Sequence, residues 1–296
     1  MTFFERINEV ASITEARLAE ICTEKSELRA KRLADAIKYS LLGGGKRLRA
    51  YLVLEFCELC GRAPSEALDY ASAIEMIHAF SLIHDDLPCM DNDDMRRGKP
   101  SCHKAFDEST ALLAGDSLAL DAFSVICTSA YHSPTQNERA AMLLSQKAGS
   151  FGMCSGQQYD LDGEGMRLDI DELTRLVDLK TGALFSCACM LGCISASATD
   201  DQIKAASDFG LYSGRAFQIT DDLLDIRSTV EVLGKSIGKD IESEKSTFVS
   251  LLGEQGAENY ARECIEVAKK CLEQFADCEA KTRLLSFCDY ILTREK

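Results

Sequence analysis

Proline placement constrains this chain more than any other feature. There are four, Pro64, Pro88, Pro100 and Pro134, and residues 135–296 contain none. Proline interrupts helices and central strands alike, so that stretch is open to long regular elements. Alternating β-branched residues are almost absent, and apolar residues recur instead at spacings of three and four. After the Pro64-Ser65 start, which offers an N-cap, Leu68, Ala71 and Ile74 keep that spacing, as do Ala73, Ile77 and Phe80. Similar runs cover 29–42, 46–60, 110–130, 136–153, 171–198, 202–226, 247–253 and 257–276. The pattern predicts an all-α fold of about ten helices, with joints at Gly43-Gly44-Gly45 and Ser133-Pro134-Thr135. No repeat, low-complexity tract or linker divides it, so residues 1–296 are expected to form a single helical domain.

Charge narrows the partners. Lys and Arg number 33 against 48 Asp and Glu, a net −15, which repels phosphate backbones and disfavours nucleic acid or a polybasic membrane anchor. Fourteen cysteines would suggest disulfides in a short secreted chain. Here the N-terminal Met1-Thr2-Phe3-Phe4-Glu5-Arg6 is charged at once and lacks a signal-peptide core. Cys57, Cys60, Cys187, Cys189, Cys193, Cys264 and Cys271 sit in helix-like patterns and read as small apolar fillers in a reducing, cytoplasmic setting. Thr181 to Thr199 carries no charge and approaches a spanning length. Its Ser, Thr, Gly, Ala and Cys content reads as a buried central helix, not a membrane span.

Two carboxylate clusters carry the chemistry. Asp85-Asp86-Leu87-Pro88-Cys89-Met90-Asp91-Asn92-Asp93-Asp94 holds five aspartates in ten residues, and Pro88 ends the helix near Asp85. Acids at a helix C-terminus oppose the dipole at about 0.3–1 kcal/mol each. In isolation the segment could equally be a solvated acidic turn. The second cluster, Asp221-Asp222-Leu223-Leu224-Asp225, lies in a helical stretch from Gly214 to Arg227. Spacings of three and four put its carboxylates on one face. Grouped hard oxygens without His or Cys suit Mg2+, held by one or two carboxylates plus substrate phosphates. The pair suggests facing helices sharing a metal-bound diphosphate.

Local cations fit the same substrate. Gly44-Gly45-Lys46-Arg47-Leu48-Arg49 is a glycine joint opening a basic helix start, an anion site in type, although an ordinary exposed basic start has the same composition. It is no Walker A loop, since Ser40 stands where Gly belongs and no Ser or Thr follows Lys46. Glu75 and His78 form one Glu-x-x-His, but a di-iron centre needs two, and the other histidines lack that Glu. His84-Asp85 alone supplies no phosphohydrolase ligand set, and no Ser or Cys nucleophile with its base is visible.

Taken together these residues resemble the trans (head-to-tail) isoprenyl diphosphate synthases over nearly the whole chain. The motifs are GGKRLR at 44–49, HDDLPCMDNDDMRRG at 84–98, GQ at 156–157, KTG at 180–182, FQITDDLLD at 217–225, and Gly234-Lys235 through Lys245-Ser246-Thr247. The resemblance implies an all-α homodimer with a deep cavity between the helices that bear both aspartate motifs. It implies Mg2+, about three ions per active site, with Mn2+ as the alternative ion. Asp85, Asp86, Asp91, Asp221 and Asp225 would bind it, with Asp222 supporting the cluster. Arg96, Lys180, Lys235 and Lys245 would hold the allylic diphosphate. Gly45, Lys46, Arg49, His78 and Arg97 would hold isopentenyl diphosphate, and Gln157, Asp160, Thr181 and Gln218 would line the reacting centre. Departures are small: Ala50 where the family often has Pro, Ser155 before Gly-Gln, and Asn92 for a frequent Asp. The first is expected to loosen a helix start slightly.

In such enzymes an aromatic five residues before the first aspartate, here Phe80, with Ser81 beside it and two extra residues within Leu87 to Met90, goes with farnesyl products. Ordinary core packing is the competing role for Phe80. Farnesyl diphosphate is therefore the expected product. Geranylgeranyl diphosphate is the alternative within the class, and an inactive partner subunit of a prenyl synthase the alternative outside it. A terpene cyclase is disfavoured because its second metal motif differs and the Lys46 site would be unexplained.

Overall fold

The computed structural model describes residues 1–24, 30–233 and 246–294. Helix dominates as expected, and among the described residues the strands are two-residue pieces, β1 (Met95–Arg96) and β2 (Lys99–Pro100). The chain divides into two compact units, one of residues 1–142 with 194–197, the other of 143–193 with 198–296.

In the first unit, α1 (Phe3–Thr23) opens on a capping box, with the Thr2 hydroxyl accepting from Glu5 N–H while the Glu5 carboxylate accepts from Thr2 N–H. Its apolar stripe, Phe3, Ile7, Val10, Leu18 and Ile21, is buried, each such side chain contributing about 1.5–3 kcal/mol. Helix α2 (Lys31–Leu41) precedes the glycine joint, and α3 (Leu48–Leu59) follows it. A 3-10 turn over Pro64–Ala67, with Pro64 at its first position, leads into α4 (Leu68–Asp85). Both α3 and α4 are buried nearly all round, in keeping with their predominantly apolar composition, and the buried Glu55, Asp69 and Glu75 are paired with arginines. Arg6 of α1 clamps Glu55 of α3 at 2.7 Å, and Arg17 reaches Asp69 of α4 at 3.0 Å. Helix α4 ends at Asp85, as Pro88 dictates. Helix α5 (Cys102–Ala105) is one turn, and Asp107 caps α6 (Glu108–Thr128) by accepting from Thr110 N–H at 2.7 Å. Helix α7 (Pro134–Ala148) starts at the predicted Ser133-Pro134 joint.

In the second unit the sequence run 136–153 breaks at Gly149–Gly152, and a separate α8 (Met153–Asp162) follows. The run 171–198 is α9 (Ile170–Val177), a π-turn over Asp178–Gly182, and α10 (Ala183–Ser195). Among the described residues two helical stretches are long and apolar enough to cross a membrane, Glu108–Thr128 and Ile170–Ser195, but the apolar window of the second is 72% buried in the protein. Its Cys187, Cys189 and Cys193 fill the interior, and burial pushes the Cys187 thiol up to about 12. Cys57 and Cys264 are buried likewise, whereas Cys60 and Cys271 are half-buried. Helix α11 (Asp200–Leu233) packs on α10 through glycine: a Cβ on Gly210 would meet Ser186 Cα at 2.5 Å. Helix α12 (Phe248–Cys271) kinks at Gly253, φ 71°, matching the gap between the runs 247–253 and 257–276. Helix α13 (Glu279–Thr293) ends the described chain.

Candidate active site

The first unit gathers a basic loop, a histidine and the first aspartate cluster. Gly44 and Gly45 adopt φ of 82° and 128°, values that L side chains rarely reach. Lys46 is exposed, and Arg49 lies in the first turn of α3. Arg47 differs from both: it is 4% exposed, with its guanidinium turned inward to Glu15 and Glu75. Opposite them His78 stands on α4, half-buried.

The Arg96-Arg97-Gly98 segment is explained by its hairpin. Arg96 pairs with Lys99 in β2, so Arg97 and Gly98 form the two-residue loop, with φ of 51° and 74°. Two successive positive φ values define the type I′ turn that such hairpins favour. The turn sends Arg97 to the Gly44 carbonyl, and its guanidinium fills the space beside Gly45, where a Cβ would come within 2.8 Å. Arg96 instead grips Asp86, Nε to Oδ1 at 3.0 Å, and comes within 3.6 Å of Asp93. Asp86 is 2% exposed. Burial raises its pKa despite Arg96.

The acidic segment is knitted by its backbone, with Asp91 N–H donating to the Asp85 carbonyl at 2.9 Å and Asn92 N–H to Leu87 at 3.1 Å. Asp85 is half-buried and Asp91 exposed. One turn before them, Phe80 is half-buried and Ser81 donates to the His78 carbonyl at 2.9 Å.

Arg47 and Arg96 have carboxylate partners here, Glu15 with Glu75 and Asp86 with Asp93. Burial, then repulsion by Arg97, lowers Arg49 to about 10, with Glu75 opposing. Burial drives the His78 pKa well below the ordinary histidine value, and Arg49, Arg97, Arg47 and Arg96 drive it in the same direction. His78 is therefore a neutral ring amid four guanidiniums.

The second unit holds the other motifs around its π-turn. Such turns mark a locally widened helix and often occur at functional sites. Gly156 of α8 lies against it so closely that a Cβ would meet Lys180 N at 2.2 Å. Lys180 Nζ donates to Asp160 at 2.6 Å, and Arg215 fixes Asp178 through two hydrogen bonds of 2.9 and 2.7 Å. Thr181 Oγ1 donates to Gln218 Oε1 at 3.2 Å, and Gln218 Nε2 to Asp222 Oδ1 at 3.2 Å. The other Asp222 oxygen accepts the Phe248 N–H at the start of α12. Asp221 is paired with Arg294 at 2.7 Å, and Asp225 is exposed. Gln157 Nε2 is buried with no hydrogen-bond partner among the described residues, an arrangement that an incoming acceptor would relieve.

Lys235 and Lys245, expected to bind the allylic diphosphate, lie outside the described residues. Sequence reasoning did not single out Glu75 as a partner of the basic loop, nor Arg294. Glu75 sits one helical turn before His78, which is the one pattern that points to it.

No three His, Cys, Asp or Glu side chains among the described residues are gathered as a ready-made metal cage. The donors present are carboxylates, and Mg2+ is held by one or two of these with water and phosphate oxygens completing its shell. The residues fit an ion recruited together with a diphosphate, and do not fit an all-protein site.

Comparison with known proteins identifies the family. Residues 30–284 match the family Polyprenyl synthetase. A farnesyl diphosphate synthase of Haemophilus influenzae is 42% identical over 266 residues, covering 89% of this chain and 89% of that protein. Geranylgeranyl pyrophosphate synthase 7 of Arabidopsis thaliana, a chloroplastic protein, is 41% identical over 267 residues, 89% of this chain and 77% of its own. The apo crystal structure of an FPP/GFPP synthase from Zymomonas mobilis superposes with a TM-score of 0.87 at 36% identity, covering 98% of this chain and 99% of that one. The chain belongs to the polyprenyl synthetase family, and its activity is that of a prenyltransferase.

Proposed function

We propose that the protein condenses isopentenyl diphosphate with dimethylallyl and then geranyl diphosphate to give farnesyl diphosphate. The observation that carries this reading is the meeting of the glycine-basic loop with the Arg96-Arg97 hairpin beside His78, where Arg97 reaches the Gly44 carbonyl and lies against Gly45 and repels Arg49, so that a diphosphate would be paired by both. Lys46, Arg49, Arg97, His78 and the Gly45 backbone hold the isopentenyl diphosphate. Arg96, Lys180, Lys235 and Lys245 hold the allylic one, and the buried amide of Gln157 donates at the reacting centre with Asp160 nearby.

Asp85, Asp86 and Asp91 in the first unit, and Asp221 and Asp225 with Asp222 supporting them in the second, would hold Mg2+, with Asp86 oriented by Arg96 and Asp222 by Gln218 and the Phe248 N–H. When bound, the ion supplies positive charge that stabilises a leaving diphosphate. The allylic carbon–oxygen bond breaks, and the diphosphate leaves with the electron pair onto the cationic side chains. The Thr181 and Gln218 oxygens or the Lys180 carbonyl would stabilise the positive charge left on carbon. The isopentenyl double bond attacks that carbon, and a proton passes to the released diphosphate, so no protein base is required.

Phe80 supports the farnesyl length as a bulky ring one turn before Asp85. The expected homodimer would use the face of α6 that exposes Leu113 and Leu120, at 54% and 73%.

The test combines purified protein, Mg2+, isopentenyl diphosphate and each allylic starter, with dephosphorylated products sized by mass spectrometry. Farnesol is expected. Geranylgeraniol would keep the reaction and remove Phe80 as the stop. No elongation by folded protein would favour the inactive-subunit reading.

A further inference from the structure

Arg47 occupies the N-cap position of α3 in the left-handed region, φ 50° and ψ 44°. For an L residue that conformation is strained, and it persists only where the surroundings over-determine it. Here they do. The buried guanidinium donates to Glu15 Oε1 through Nε at 2.9 Å, to Glu75 Oε2 through Nη1 at 3.2 Å, and to the Leu41 carbonyl.

Glu75 is the more committed of the two carboxylates. It is 2% exposed, and its second oxygen accepts the Ala50 N–H at 3.0 Å. Ala50 is the third residue of α3, whose N–H has no partner within the helix. The usual solution is an N-cap side chain, but a guanidinium has no acceptor, so Arg47 cannot provide one. Glu75 provides it from α4, and it also opposes the lowering of Arg49. A single carboxylate thus caps α3, neutralises Arg47 and balances Arg49. It stands three residues before His78, on the same helical face.

We infer that Glu75 and Arg47 are positioning residues: without touching substrate, they fix Lys46 and Arg49 at a set distance from His78 for one diphosphate. The inference rests on the reading above, that this loop binds isopentenyl diphosphate. It predicts an asymmetric defect, because the allylic diphosphate is assigned to other side chains.

The experiment is steady-state kinetics on Glu75→Gln and Arg47→Lys in the full chain, with isothermal titration of isopentenyl diphosphate alone. Glutamine keeps the cap acceptor and loses the charge. Lysine keeps the charge and loses the fork that spans two carboxylates. In each, KM and Kd for isopentenyl diphosphate should rise roughly tenfold, with KM for geranyl diphosphate changed less than about twofold. The double variant should be no worse than the weaker single one, as expected of residues acting as a unit. A purely structural role would lower melting temperature and leave both constants unchanged, and that result in either folded variant overturns the inference. A wild-type protein that elongates no starter overturns the functional reading instead, and the titration still reports on the loop.

Discussion

Phe80 meets His84 edge-on, with ring centroids 5.0 Å apart and planes at 84°. The His84 ring in turn lies against Gly115 of α6, where a Cβ would come within 2.2 Å of Nε2, and Nε2 sits 3.0 Å from the Leu112 carbonyl. The ring assigned to stop chain growth is therefore one layer of a stack whose base is a glycine. Two variants probe it. Phe80→Ala removes the ring, and Gly115→Ala pushes His84 out from beneath it, at about 1–3 kcal/mol of overpacking. Both should shift products beyond farnesyl length, read by mass spectrometry of the prenyl alcohols. An unchanged distribution for Phe80→Ala in active enzyme would sink the assignment.

Gly156 invites a second substitution. The clash that an alanine would make is with Lys180 N and Cα, backbone atoms that cannot rotate away. The π-turn must move, carrying Lys180 and Thr181 with it. A shift of about 1 Å at a reacting centre costs on the order of 100-fold in rate. Gly156→Ala should therefore lower kcat steeply for every starter while the folded protein is retained by circular dichroism. Near wild-type turnover would show that this turn does not position the chemistry.

The pH dependence of stability follows from His78. Its folded pKa lies well below the ordinary value of 6.5, so no penalty exists above pH 6.5. Below that pH the unfolded chain takes up a proton that the folded chain refuses. Stability then falls with falling pH, by up to about 1.4 kcal/mol per pH unit, until the folded pKa is reached. His132, lowered by burial and Arg62, adds a slope of the same sign. Denaturant melts of wild type and His78→Gln from pH 7.5 to 5 should show a shallower decline in the variant. Parallel curves would contradict the depressed pKa.

The sequence made much of this legible because the determinants are local. Pro88 ends α4 at Asp85, Gly253 splits α12, and a charge-free stretch becomes the buried α10. What escaped has physical reasons. The stripe of α1 is interleaved with polar residues, α8 follows a break that apolar spacing does not register, and α13 lay beyond the last apolar run recognised. A π-turn has the side-chain pattern of a helix, so the run 171–198 reads as unbroken. Within GGKRLR three cations look alike, and only the left-handed φ at Arg47 separates the inward one from Lys46 and Arg49. Alanine in place of proline at position 50 loosens a helix start on composition alone. Its N–H instead gives Glu75 a donor that proline would lack.

Arg294 supplies the last prediction. Its guanidinium lies 3.7 Å from the centroid of the Phe217 ring, donates to the Phe217 carbonyl at 2.6 Å, and pairs with Asp221 at 2.7 Å. A cation on a carboxylate assigned to Mg2+ competes with the ion, since the same oxygens cannot serve both fully. Arg294→Met keeps the stem against Phe217 and removes the charge. The Mg2+ concentration for half-maximal elongation should fall, and Mn2+ should bind more tightly by calorimetry in the presence of inorganic pyrophosphate. The change should be a fewfold, about 1 kcal/mol, because Asp221 is 39% exposed and already screened. Loss of the bonds to the Phe217 carbonyl and to Thr220 Oγ1, the second at 2.8 Å, should lower the melting temperature in the same variant, so metal affinity and stability move in opposite directions. A variant in which both fall would place Arg294 as a support of the second aspartate cluster and not as a competitor for it.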